Sequence, residues 1–149
     1  MYRTILVPLD GSKLAEAILV EIKELARALG ARIVLLRVCR AHVFPGKDST
    51  DAEVEVMRGA QTYLTRIQEE LWAEGFEVES SVRYGDVAQE ILNHSIRNDI
   101  DLIAMSTHGR TGVGRWLLGS VSEKIVRHSE KPVLLFRPRQ AKPTMTEAV

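Results

Sequence analysis

The sequence predicts an α/β fold: a doubly wound, five-stranded parallel sheet in the order 3-2-1-4-5. Two observations carry this. Short apolar runs alternate five times with segments whose apolar residues step by three and four, the period change expected of strand–helix units. Glycine, proline and small polar residues punctuate the joins, as parallel strands linked by right-handed crossovers require.

The elements follow in order. Ile5-Leu6-Val7 is an apolar run ended by Pro8 and Asp10-Gly11-Ser12, which suits a buried first strand. Ala15, Ile18, Ile22, Leu25 and Leu29 then mark one helix face, with Ser12 as N-cap and Gly30 as the stop. Ile33-Val34-Leu35-Leu36 and Val38 form a second strand. Residues 42–51 hold Pro45, Gly46, Ser49 and Thr50 and are expected to be a polar loop, the most mobile part of the body. Met57, Ala60, Leu64, Ile67 and Leu71 define a long helix ending at Gly75. Phe76, Val78, Ser80 and Val82 alternate with polar residues, as in a less buried outer strand. Gly85-Asp86 turns into a third helix through Ala88, Ile91, Leu92 and Ile96, and Asp86 with Gln89 has capping-box spacing. Leu102–Met105 is the fourth strand; a helix through Val121 and Ile125 precedes the fifth, Pro132–Phe136. The domain is assigned to residues 1–138. The tail, 139–149, is polar and aperiodic and is expected to be disordered.

Bulk composition excludes several classes of function. Of 149 residues, 45% are hydrophobic and 27% charged, enough apolar mass for one core. Twenty basic and twenty acidic side chains cancel, so no whole-protein field favours nucleic acid. Cys39 is the single cysteine, which rules out an intrachain disulfide and suits a small buried hydrophobe. The first apolar run is too short for a signal peptide, and none nears the ~20 residues of a membrane span. The expectation is a cytoplasmic protein with neither nucleic acid nor membrane as partner.

In doubly wound sheets ligands bind at the carboxyl ends of the strands, where the order reverses. Here that crevice falls between the first and fourth strands. Pro8-Leu9-Asp10 would face Ser106-Thr107-His108-Gly109 across it. The segment from Ser106 to Ser122 suits a polyphosphate. Gly109, Gly112 and Gly114 allow backbone N–H groups to approach an anion closely. Gly119-Ser120 opens a helix with free N–H donors, and His108, Arg110 and Arg115 make the stretch basic. Glycines after a strand also form plain turns, and Ser120 with Glu123 has capping-box spacing, so composition by itself leaves both readings open. The segment is neither a Walker loop nor a dinucleotide fingerprint, since no Gly-Lys-Ser/Thr follows and it lies after the fourth strand.

From Tyr2 to Arg137 the chain resembles the universal stress protein family. The resemblance rests on Ile5–Ser12, on Met105–Ser122 and on Lys131-Pro132-Val133-Leu134-Leu135. The ATP-binding branch of that family carries Gly-x2-Gly-x9-Gly-Ser/Thr. Gly109, nine residues and then Gly119-Ser120 match the long spacing, while Ser106 stands at the first glycine. The resemblance implies a Rossmann-like, cytoplasmic, dimeric stress-response protein that binds ATP or AMP. It implies that Pro8 and Asp10 border the nucleoside and that Val38 contacts adenine. It also implies that Ser106, Gly109, Gly112, Gly119, Ser120, Val121 and Ser122 surround ribose and phosphates, with Arg110 and Thr111 between them. A bound triphosphate would bring Mg²⁺, held largely by phosphate and water.

No catalytic residue is assigned. His108 lacks an obvious orienting carboxylate in sequence. The alternatives are an interaction protein of the same fold that no longer binds nucleotide, suggested by Ser106, and a slow ATPase. Val133–Phe136 should form a sheet edge. An apolar edge calls for a cover, which a symmetric homodimer would supply.

Overall fold

The structure is a computed structural model that describes residues 1–40, 49–107 and 118–137. Its elements are β1 (Thr4–Pro8), α1 (Lys13–Glu16), α2 (Leu19–Leu29), β2 (Arg32–Cys39), α3 (Ser49–Ala73), β3 (Val78–Tyr84), α4 (Val87–Arg97), β4 (Leu102–Ser106), α5 (Ser120–His128) and β5 (Val133–Phe136). All strand pairs are parallel, and the sheet order is β3-β2-β1-β4-β5, as the alternation of periods predicts.

Strand residues alternate between two apolar layers. Ile5, Val7, Ile33, Leu35, Leu102 and Ala104 pack with Ala15, Ile22 and Ala26 and with Leu64, Ile67 and Leu71 of α3. Leu6, Val34, Leu36, Ile103 and Met105 pack on the other face with Ala88 and Ile91 of α4 and Ile125 of α5. Both sides of the central strands are therefore dry, which is why their sequences show no polar alternation. Each fully buried Ile or Leu contributes about 1.5–3 kcal/mol of transfer free energy. No helix among the described residues is long and apolar enough to cross a membrane.

The structure corrects four local readings. The first helix is two: α1 ends at Glu16 and α2 begins at Leu19, with Ala17 and Ile18 between them. Ile18 keeps its buried place in the apolar layer, so the three-and-four spacing survives the break. Ser49, Thr50 and Asp51 open α3 rather than closing a loop. Phe76 precedes β3; it is buried under the Arg27 guanidinium, 4.7 Å from its ring centroid. Gly119, not Ser120, is the N-cap of α5, for its backbone is extended (φ −60°, ψ 156°) and its carbonyl accepts from Glu123 N at 2.9 Å. Glu123 turns instead to Arg127, one turn along. The rest of the expected loop, residues 41–48, and the tail beyond residue 137 lie outside the described residues.

Candidate functional site

The carboxyl edge of the sheet opens at its topological switch. The β1–β2 ladder runs from Thr4–Arg32 to Pro8–Leu36, and the β4–β5 ladder reaches Ser106–Phe136. Between β1 and β4, only Ile5–Leu102 and Leu6–Ile103 pair. Beyond Leu6 and Ile103 the two strands continue without pairing, and Pro8 has no N–H to offer the ladder. This is the switch point at which doubly wound sheets bind ligands.

Its β1 side is built by a tight turn. The Asp10 carboxylate accepts from Ser12 N at 2.9 Å and from the Ser12 hydroxyl, and that hydroxyl in turn accepts from Ala15 N at 3.1 Å to cap α1. Gly11 sits at φ +83°, a conformation that favours glycine, and a Cβ there would oblige the Arg37 guanidinium to shift. Leu9 N donates to Leu36 O at 2.8 Å, which holds the turn beside the end of β2 where Val38 stands half-buried.

A polar stack unforeseen in the sequence supports this turn. Arg37 lies over the Tyr63 ring at 5.7 Å, and Arg66 covers the same ring at 5.7 Å. Burial, with the Glu16 carboxylate next in importance, pushes the Tyr63 phenol up to about 12. Among the described residues, Arg37 Nε and Nη1 and Tyr63 Oη are buried without hydrogen-bond partners. Apolar periodicity cannot reveal such a stack, because Arg37 occupies a core-facing strand position and Tyr63 a helix position about four turns into α3.

The β4 side is a pinned loop base. Thr107 N donates to Phe136 O at 2.9 Å, and Thr107 O accepts from Gly119 N at 2.9 Å. The buried Ser122 hydroxyl donates to Thr107 O at 2.8 Å and lies 3.0 Å from Gly119 O. Residues before and after the glycine-rich segment are thereby tied together, with the N-terminus of α5 directly behind. Ser106 is buried at the end of β4, Ser120 is exposed and Val121 is half-buried. Of the site residues expected from sequence, Pro8, Asp10 and Val38 gather at the β1–β2 end, and Ser106, Gly119, Ser120, Val121 and Ser122 at the β4–α5 end. Gly109, Arg110, Thr111 and Gly112 lie outside the described residues, as do His108 and Arg115. Among the described residues no three His, Cys, Asp or Glu side chains gather as a metal site.

Arg40 and Lys124 also reach this edge. Gly85 N donates to Cys39 O at 2.9 Å, which draws the end of β2 against the turn into α4. Arg40 then lines a small cleft with Asp86, Val87 and Ala88 of the α4 start and with Ser120, Val121 and Lys124 of α5. The rule that nominates Asp10 and Ser106, position just past a strand's carboxyl end, also nominates Arg40.

A parallel sheet in this order with helices on both faces defines a doubly wound α/β protein, a class that binds ligands at the switch point of the sheet. Comparison makes this specific: the universal stress protein family model matches residues 1–137, and the chain belongs to that family. It is 26% identical to universal stress protein MJ0577 of Methanocaldococcus jannaschii over 95% of this chain and 98% of that one. The solved structure of MJ0577 superposes with a TM-score of 0.84 at 29% identity, covering 95% and 99% of the two chains. An Arabidopsis thaliana protein of the family, solved with AMP bound, has a TM-score of 0.69 at 20% identity and covers 97% of both chains. A universal stress protein solved in complex with cAMP has a TM-score of 0.61 at 20% identity, covering 93% of this chain and 98% of that one.

Proposed function

We propose that this protein is an adenine-nucleotide-binding regulatory module of the stress response, a cytoplasmic homodimer that binds ATP or AMP without a dedicated catalytic group. The topological switch between β1 and β4 carries this reading, because it brings the turn at Asp10 and the start of α5 to the same carboxyl edge of the sheet. Pro8 and Asp10 border the nucleoside, and Val38 contacts adenine. Ser106, Gly109, Arg110, Thr111, Gly112 and Gly119–Ser122 surround ribose and phosphates. Backbone N–H groups at the start of α5 supply donors with a favourable dipole. Fold relatives bound to AMP and cAMP support the choice of ligand class. Any Mg²⁺ arrives with a triphosphate and is held by its oxygens and water, in keeping with a site that has no cage of carboxylates among the described residues.

Mass spectrometry of ligand released from freshly purified protein tests this directly. An adenine nucleotide is expected. Added nucleotide at 100 times its dissociation constant should stabilise the fold by about 2.7 kcal/mol. No released ligand, with no thermal shift at millimolar ATP, ADP or AMP, sinks the reading.

A further inference from the structure

The cleft beside the start of α5 has a charge pattern that the family assignment does not explain. Three separate segments converge on it: Arg40 just past β2, Asp86 at the start of α4, and Lys124 in α5. Its volume is about 30 Å³, room for a water or a ligand oxygen but not for a nucleoside. Although both cations share the cleft with a carboxylate, neither closes on it. The ion pairs among the described residues involve neither Arg40 nor Lys124. Asp86 accepts from Gln89 N at 3.0 Å, and Glu123, the nearest acid in sequence to Lys124, pairs with Arg127. The cleft thus holds two uncommitted positive charges beside Ser120 and Val121, with its one carboxylate already engaged by the backbone.

We infer that Arg40 and Lys124 flank a subsite that takes an oxygen of a bound nucleotide's distal phosphates at the mouth of this cleft, and that they set a preference for triphosphate over monophosphate. This rests on the adenine-nucleotide reading above. A nucleotide whose proximal phosphate lies against Gly119–Ser122 extends its remaining phosphates along the same helix start. The added negative charge then lies at the mouth of the cleft that both cations line. A monophosphate has nothing to place there, so it gains nothing from them. Arg40 can donate two parallel hydrogen bonds, whereas Lys124 acts as a point charge. Both are solvent-accessible, so their contribution is screened by salt.

Calorimetric titration of the full chain with ATP, ADP and AMP tests the inference in the wild type, Arg40→Gln, Lys124→Gln and the double variant. Expected affinities fall in the order ATP, ADP, AMP. Each single substitution should weaken ATP about tenfold or somewhat less and leave AMP within about twofold. Arg40→Lys should retain most of the preference. Raising ionic strength should narrow the ATP-to-AMP ratio in the wild type and not in the double variant. Equal losses for ATP and AMP, or wild-type ATP affinity in both variants, overturn the subsite and leave nucleotide binding standing. Failure of the wild type to bind any of the three overturns the nucleotide reading itself.

Discussion

His94 shows how a single residue couples this fold to pH. It projects from α4 into the interior, 6% exposed, and its Nδ1 has no hydrogen-bond partner among the described residues. Burial, reinforced by the Arg83 charge on β3, holds its pKa below the ordinary 6.5. In the unfolded chain the imidazole takes up a proton as pH drops through 6.5, while the folded protein resists. The unfolded state then binds more protons, so stability falls with pH below that point. Urea unfolding between pH 5 and pH 8 should show this decline, and His94→Leu should flatten it. An unchanged slope in the variant would assign the decline to other groups. The residue scale also explains why Arg37 escapes sequence reading. A charged residue within an apolar strand gives no sign of the ring it covers, and its contact with Gly11 exists only once β1 and β2 are aligned.

Among the elements, α5 is the one that joins fold to site. Nine residues long, it begins where the glycine-rich segment ends, and Ser122 ties its first turn back to Thr107. The hydroxyl is buried and committed to backbone carbonyls, so its value to a ligand is to fix where the helix start points. Ser122→Ala should cost about 1 kcal/mol. It should also lower hydrogen-exchange protection at the Gly119 amide, which donates to the same Thr107 carbonyl. Protection equal to wild type would show that the Gly119 bond alone suffices. The shift of the cap from Ser120 to Gly119 has the same origin. Capping-box spacing is a local signal, and it yields here to the long-range bonds from Gly119 and Ser122 to the end of β4. Asp86, with no such competing tie, caps α4 by donation from Gln89 N as its spacing predicts.

For the whole molecule, no described strand pairs with the outer edge of β5. Phe136 O and Pro132 O accept from β4 side donors, so the alternate backbone groups of Val133 and Leu135 point away from the sheet. Leu134, Val126 and Leu118 are exposed apolar residues on β5 and on or beside α5. Pairing of two β5 edges in a C₂ dimer would satisfy the backbone and cover an apolar strand. Sedimentation should find a dimer at micromolar concentration, and Leu134→Lys should favour the monomer by setting like charges near each other across the axis. A monomeric wild type would contradict the proposed dimer. Edge β3 needs less cover, since several of its residues carry polar side chains that suit the half-buried pattern seen there.

The sequence by itself determined the five strands, the helical segments that link them and the order of the strands in the sheet. Those properties follow from hydrophobic period, turn residues and crossover handedness, all of which are local or topological. Residue-to-residue pairing needed the tertiary structure. The cap at Gly119, the Arg37–Tyr63–Arg66 stack and the Arg40–Asp86–Lys124 cleft all depend on segments far apart in the chain. Their energies come from packing and hydrogen bonds that form only when the sheet has aligned its strands, and a linear pattern of residue types does not encode those alignments one contact at a time.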